Sequence, residues 1–192
     1  MRFCSVNTFD LREKLKQIKI SPKKSLGQNF LINERVIDQI ITSVRECAPN
    51  HIIEVGPGLG ALTEQLSQVA SHVTLIELDN KLAEYWREKG YNLIHGDALR
   101  INWEELGQKG FSLLVSNLPY QISSSLVVHL STISKKPVEV MILMFQKEVA
   151  QRITAVPGTK DYGLLSVIAQ SFWAIEKLID VGPTCFYPAP KV

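Results

Sequence analysis

The stretch HIIEVGPGLGALTEQLSQVASHVTLIELD, residues 51–79, decides the fold. It opens as a short apolar strand that stops at glycine. A Gly-x-Gly-x-Gly turn follows, residues 61–70 take helical spacing, and a second apolar run ends in Glu77 and Asp79. Strand, glycine turn, helix and strand in that order predict a parallel pair with a helical crossover.

The pattern extends in both directions. Upstream, residues 32–44 place Val36, Ile37, Ile40, Ile41 and Val44 at helical spacing, with Asn33 as N-cap. Downstream, a helix over 80–90 closes at Gly90, and a third strand occupies 91–97. A fourth strand at 111–117 precedes a helix at 123–131; a fifth at 138–145 precedes a helix at 146–154. Residues 162–173 read as a helix, 174–182 as a candidate sixth strand, and the proline-rich 183–192 as extended. The strands are nearly continuous apolar runs alternating with helices. That predicts a doubly wound α/β fold, a mostly parallel sheet with helices on both faces. The chain stops after Val192 without a closing element, as a piece of something longer would.

Composition narrows the class. The 192 residues carry a net charge of +2, enough chain for one domain with a full core. The charge is uneven: Arg2, Arg12, Lys14, Lys16, Lys19, Lys23 and Lys24 face only Asp10 and Glu13. Residues 1–22 therefore form a basic arm able to meet phosphates or simply to remain solvated, and 23–192 form the domain. Cys4, Cys47 and Cys185 include no Cys-x-x-Cys pair, which argues against a disulfide framework or a metal site and for a reducing cytosol. No signal-peptide apolar segment opens the chain, and the apolar run 140–145 is far too short to span a bilayer. The expectation is a soluble, cytoplasmic protein without a membrane partner.

In such folds ligands sit beyond the carboxyl ends of the strands. Four features fall there. The turn EVGPGLG, residues 54–60, brings backbone close to a ligand at Gly56 and Gly58. Its spacing is not that of dinucleotide binders, and no Gly-Lys-Ser/Thr makes it a P-loop. Glu77, about 20 residues on, suits two ribose hydroxyls, with Asp79 as a substitute. Asp97, ending the third strand, either accepts from an adenine amino group or caps a turn. Together these make an adenosine site.

The fourth strand ends in Asn117, Leu118, Pro119 and Tyr120. An adenine amino nitrogen is a poor nucleophile because its lone pair is delocalised into the ring. The Asn117 side-chain oxygen and the Leu118 carbonyl, as two acceptors on its N–H groups, would turn the lone pair out of conjugation. Pro119 fixes the turn, and Tyr120 offers a face for an extruded base. An electrophilic methyl on an adenosine cofactor completes a transfer reaction, and no strong base is needed.

The motifs EVGPGLG, IELD, GDAL and NLPY resemble, in order and spacing, those of S-adenosylmethionine-dependent adenine-N6 methyltransferases of RNA. More narrowly, the chain resembles the KsgA-type small-subunit (16S) rRNA adenine dimethyltransferases. KSLGQNFL (24–31), MFQKEVAQRI (144–153), PGTKDYGLLSV (157–167) and FYPAPKV (186–192) carry that match. The resemblance implies a Rossmann-like methyltransferase fold, S-adenosylmethionine as cofactor, and the assembling small ribosomal subunit as partner of a monomeric enzyme. It implies that Asn29 and Leu31 line the cofactor pocket and that Gly56 approaches the methionine part, with Gly58 in the same turn. Glu77 would bind the ribose, Asp97 the adenine, and Asn117 both cofactor and target amine. Tyr120 and Phe186 would sandwich the target base. Dimethylation, and a C-terminal helical RNA-binding domain absent from this chain, are also implied by the resemblance. Three other readings share parts of the pattern: a 23S rRNA methyltransferase of the resistance type, a DNA adenine methyltransferase, and a non-catalytic ribosome-assembly or transcription factor.

Overall fold

The computed structural model describes residues 13, 15, 16, 18, 22, 23, 27–106 and 112–190. Most of the basic arm, together with Cys4 and Lys24, lies outside the described residues. Seven strands occur among them: β1 (Phe30–Leu31), β2 (His51–Val55), β3 (His72–Glu77), β4 (Asn92–His95), β5 (Ser112–Asn117), β6 (Val140–Met144) and β7 (Phe186–Tyr187). The helices are α1 (Glu34–Cys47), α2 (Thr63–Leu66), α3 (Asn80–Glu88), α4 (Trp103–Leu106), α5 (Ser123–Thr132), α6 (Lys147–Ile153) and α7 (Leu164–Phe172).

The five predicted strands form one parallel sheet in the order β4-β3-β2-β5-β6. The chain steps outward from β2 to β4, returns to the other side of β2, and steps outward again through β5 and β6. The reversal puts the switch point between β2 and β5, where open α/β sheets hold their ligands.

Alternation along each strand feeds two cores. Ile52, Leu113 and Val115 pack with Val36, Ile37, Ile40, Ile41 and Val44 of α1 on one face. Ile53, Val55 and Leu114 pack with Trp103, Leu126 and Leu130 on the other. Each such side chain contributes about 1.5–3 kcal/mol by leaving water. Trp103 is 1% exposed, and its indole N–H donates to the Ala98 carbonyl at 2.7 Å, so the long β4–β5 crossover lies flat on the sheet. Asn33 caps α1 as its sequence predicts, accepting from the Val36 amide at 3.1 Å.

The strand starts are tied by polar groups. Buried His51 meets Thr74 Oγ1 through Nε2 at 2.8 Å and Ser112 Oγ through Nδ1 at 3.3 Å, while Asn92 Nδ2 donates to the same Thr74 oxygen at 2.8 Å. This chain of contacts crosses β4, β3, β2 and β5 and fixes their register at the end away from the switch point.

Two expectations need correction. Residues 174–182 form no strand: the segment alternates in exposure but has no ladder partner among the described residues, and pairing is what makes a strand. The helix expected over 61–70 shortens to α2, which tightens into three-residue turns through Gln68–Gln65 and Val69–Leu66 backbone bonds. One pairing has no sequence signal at all: β1 and β7 run antiparallel, with Phe30 opposite Tyr187 and Leu31 opposite Phe186.

Candidate active site

A cavity of about 550 Å³ opens at the carboxyl ends of β2, β3, β4 and β5, a volume typical of small-molecule sites. Its walls are residues 27–31, the glycine turn, Glu77, Asp97 and residues 117–122. Asn29, Leu31, Gly56, Gly58, Glu77, Asp97, Asn117, Leu118, Pro119 and Tyr120 thus meet in one place. Phe186 does not join them. It packs against the apolar cluster beneath α1, one strand removed from the cavity-lining Leu31.

The β2–β5 ladder ends at Glu54 and Val115, and beyond it the Ser116 hydroxyl donates to the Val55 carbonyl. That bond holds the strand ends together just before the Asn117 turn. Asn117 Nδ2 then donates to the Asn29 backbone carbonyl at 2.8 Å. A carbonyl accepts only, so the amide nitrogen must face it. The Asn117 side-chain oxygen is left for another donor. The Asn29 side chain is occupied locally, donating to Gly27 O at 3.1 Å, so what Asn29 lends to Asn117 is its main chain. Leu118 is 2% exposed, its side chain in the core, which leaves its backbone to the cavity. Burial pushes the Tyr120 hydroxyl above its usual range, so it is a neutral phenol at physiological pH.

Glu54, Glu77 and Asp97 are three of the carboxylates that line the cavity, each in different surroundings. Glu77 is 6% exposed and accepts from the Asp79 amide at 2.8 Å. Burial raises its pKa, against the amides of Asp79, Leu78 and Gly58. Asp97 closes a turn, its Oδ1 accepting from the Leu99 amide at 2.9 Å and its Oδ2 lying 3.6 Å from Arg100, and the residue also lines the cavity. Glu54 is the acid that sequence reasoning passed over. It is 3% exposed, and its Oε2 makes no hydrogen bond. Burial pushes its pKa up to about 8, the Thr63 hydroxyl pulling down and Glu77 pushing further up. Its signal was one charged residue inside the otherwise uncharged, fully buried HIIEV strand.

Asp79 is not a substitute for Glu77. It caps α3, accepting from the Lys81 and Leu82 amides at 2.9 and 3.2 Å, and its Oδ2 pairs with Lys23 at 2.5 Å. Burial pushes it up, but Lys23 and the helix amides outweigh that and hold the carboxyl below its usual range.

This fold and this cavity are those of a Rossmann-like methyltransferase. A dimethyladenosine transferase from Plasmodium falciparum superposes with a TM-score of 0.71 at 31% identity, covering 84% of this chain and 59% of that one. The 23S rRNA methyltransferase ErmE gives 0.68 at 28% identity, covering 85% and 66%. Residues 20–192 match the family described as ribosomal RNA adenine dimethylase. The ribosomal RNA small subunit methyltransferase A of Bdellovibrio bacteriovorus is 50% identical over 185 residues, 94% of this chain and 67% of that protein. Its namesake from Hahella chejuensis is 43% identical over 176 residues, 88% and 64%. The chain belongs to the ribosomal RNA adenine dimethylase family, and it spans about two thirds of the length of these relatives.

Proposed function

We propose that this chain transfers methyl groups from S-adenosylmethionine to the N6 nitrogens of adenines in small-subunit (16S) rRNA, giving N6,N6-dimethyladenosine during cytoplasmic ribosome assembly. One observation carries the reading: Asn117, its amide turned by the Asn29 carbonyl, presents its oxygen in the same cavity as the glycine turn, Glu77 and Tyr120. The names borne by the relatives from Bdellovibrio and Hahella support the small subunit over the large one as substrate.

The cavity's donor set fits the cofactor. Glu77 suits the ribose hydroxyls and Asp97 the adenine amino group. The unpartnered Oε2 of Glu54, buried at the cavity wall, suits a cationic end. A Cβ on Gly56 would meet nothing nearer than Pro119 Cδ at 3.9 Å, so the glycine leaves open space there. Asn29 and Leu31 close the wall. When bound, S-adenosylmethionine supplies an electrophilic methyl.

The protein's part is positioning. Asn117 Oδ1 and the Leu118 carbonyl accept the two N–H bonds of the adenine amine and free its lone pair. Pro119 has no N–H to compete for those acceptors. Tyr120 stacks on the flipped base, and Phe186, paired with the cavity-lining Leu31, would reach its second face only by leaving the cluster beneath α1. The methylated nitrogen is strongly acidic and loses its proton without a dedicated base. One N–H then remains for a second round. The domain is residues 23–192, acting as a monomer.

The test is methyl transfer from labelled S-adenosylmethionine to undermethylated small subunits and, separately, to 23S rRNA, with the modified bases mapped. Dimethyladenosine in 16S rRNA is expected. Transfer to 23S rRNA alone, or cofactor binding without transfer to either RNA by this chain or a longer one, would overturn the proposal.

A further inference from the structure

We propose that Trp86 is a positioning residue that holds the glycine turn in its ligand-receiving shape and thereby sets affinity for the cofactor. The proposal rests on the reading of the cavity as an S-adenosylmethionine site. Trp86 lies on α3, is fully buried and does not line the cavity. Its indole N–H donates to the Gly58 carbonyl at 2.9 Å. Its ring fills the place a side chain at residue 60 would take: a Cβ on Gly60 would lie 2.6 Å from Trp86 Cη2 and 2.8 Å from Cζ2. Gly60 also has φ of +88°, which an L side chain rarely adopts. The indole thus grips the turn at two residues.

The indole is itself fixed. Tyr85 and Tyr91 meet it edge-on, each with ring centroids 5.0 Å away. The contacts close into a ring around Glu77. Glu77 Oε1 accepts from the Asp79 amide, Asp79 caps α3, α3 carries Trp86, and Trp86 holds Gly58, whose amide in turn faces Glu77. The consequence is geometric. With its carbonyl tied to the indole, Gly58 has one peptide orientation, and the turn's amides and the Glu77 carboxylate keep fixed relative positions. Without the indole N–H that carbonyl loses its partner, the turn samples other peptide orientations, and a ligand must select the competent one.

The experiment is calorimetric titration of S-adenosylhomocysteine into wild type and Trp86→Phe, with circular dichroism to establish folding. A tenfold rise in Kd is expected, about 1.4 kcal/mol. With RNA substrate, the KM for S-adenosylmethionine should rise by a similar factor while kcat falls less than threefold. A merely structural role would lower the melting temperature but leave the Kd of the folded variant unchanged. Should Trp86→Phe not fold, Gly60→Ala, which pushes on the indole while keeping it, should raise the Kd by at least the same factor. In wild type, ligand binding should change the Trp86 emission, and that change should vanish in Trp86→Phe, which retains Trp103 and Trp173. A folded variant binding within twofold of wild type overturns the role of Trp86 and leaves the cavity reading intact. Absence of binding by wild type overturns both.

Discussion

Glu54 ties the cavity to pH. Its carboxyl is buried with Oε2 unpartnered, and its pKa stands near 8 against 4.5 in an unfolded chain. Between those values the folded protein holds a proton that the unfolded protein has released. Stability therefore falls as pH rises from about 4.5 to 8 and levels off above, because the folded state binds the extra proton. Each pH unit in that window costs about 1.4 kcal/mol. From pH 6 to pH 8 the ligand-free protein should lose about 2 kcal/mol through this one group, the slope flattening as pH nears the folded pKa. For a domain of this size that corresponds to a fall of about 4–8 °C in Tm. Glu54→Gln keeps the volume and removes the titration, so its Tm should fall much less over the same range.

The assay is urea unfolding of both proteins, ligand-free, at pH 6, 7, 8 and 9. Histidine titrations are common to both and cancel in the difference. Parallel stability–pH curves for wild type and Glu54→Gln would refute the reasoning, because Glu54 would then already be ionised in the folded state at pH 6. A cationic ligand next to Oε2 favours the carboxylate, so stabilisation by S-adenosylmethionine should grow from pH 6 to pH 8 in wild type and stay level in the variant.

Other predictions follow from single contacts. Asn117→Ala should lower kcat for methyl transfer about 100-fold or more, as loss of one aligned polar partner at a reacting centre does; activity within fivefold of wild type would remove Asn117 from the chemistry. Lys23→Met should raise the Asp79 pKa, observable by carbon NMR of its carboxyl, since Lys23 is the charge opposing burial there; an unmoved titration would mean the helix amides suffice. Thr74→Val removes the hydroxyl shared by His51 and Asn92 and should cost about 1–3 kcal/mol in urea unfolding. Because it lies at the opposite end of the sheet, its affinity for S-adenosylhomocysteine should match wild type.

The parallel sheet and its switch point were legible because they depend on short-range pattern. Five apolar runs separated by helical spacing leave few topologies once crossovers are right-handed. The Asn33 cap was equally local. The pairing of β1 with β7 was not, since two-residue strands more than 150 positions apart leave no periodicity to read. The segment 174–182 failed for the complementary reason: its pattern suits a strand, but a ladder needs a neighbour. The motif 157–167 was recognised by its wording alone, and its physical role became visible only in space. Ser166 donates to the Arg152 carbonyl at 2.5 Å, and just beyond the motif Gln170 donates to the Ile153 and Ala155 carbonyls at 2.9 and 2.8 Å. These side chains finish the carboxyl end of α6 and fasten it to α7, a structural duty rather than a catalytic one.

The candidate site divides along the same line. Strand ends place Glu77, Asp97 and Asn117, and strand ends are readable. What gives each a defined state comes from elsewhere in the chain. Asn117 is oriented by a carbonyl 88 residues upstream, and Gly58 by an indole 28 residues downstream. Glu54 keeps its proton because burial in the sheet disfavours its charge, with Glu77 adding to the effect. Residue type and spacing announce which chemistry is present. Which amide atom faces the substrate, and which acid is charged, are decided by contacts that no local pattern encodes. For that reason Trp86, which the sequence places only somewhere within the helix over 80–90, belongs with the glycine turn in any account of how this cavity binds.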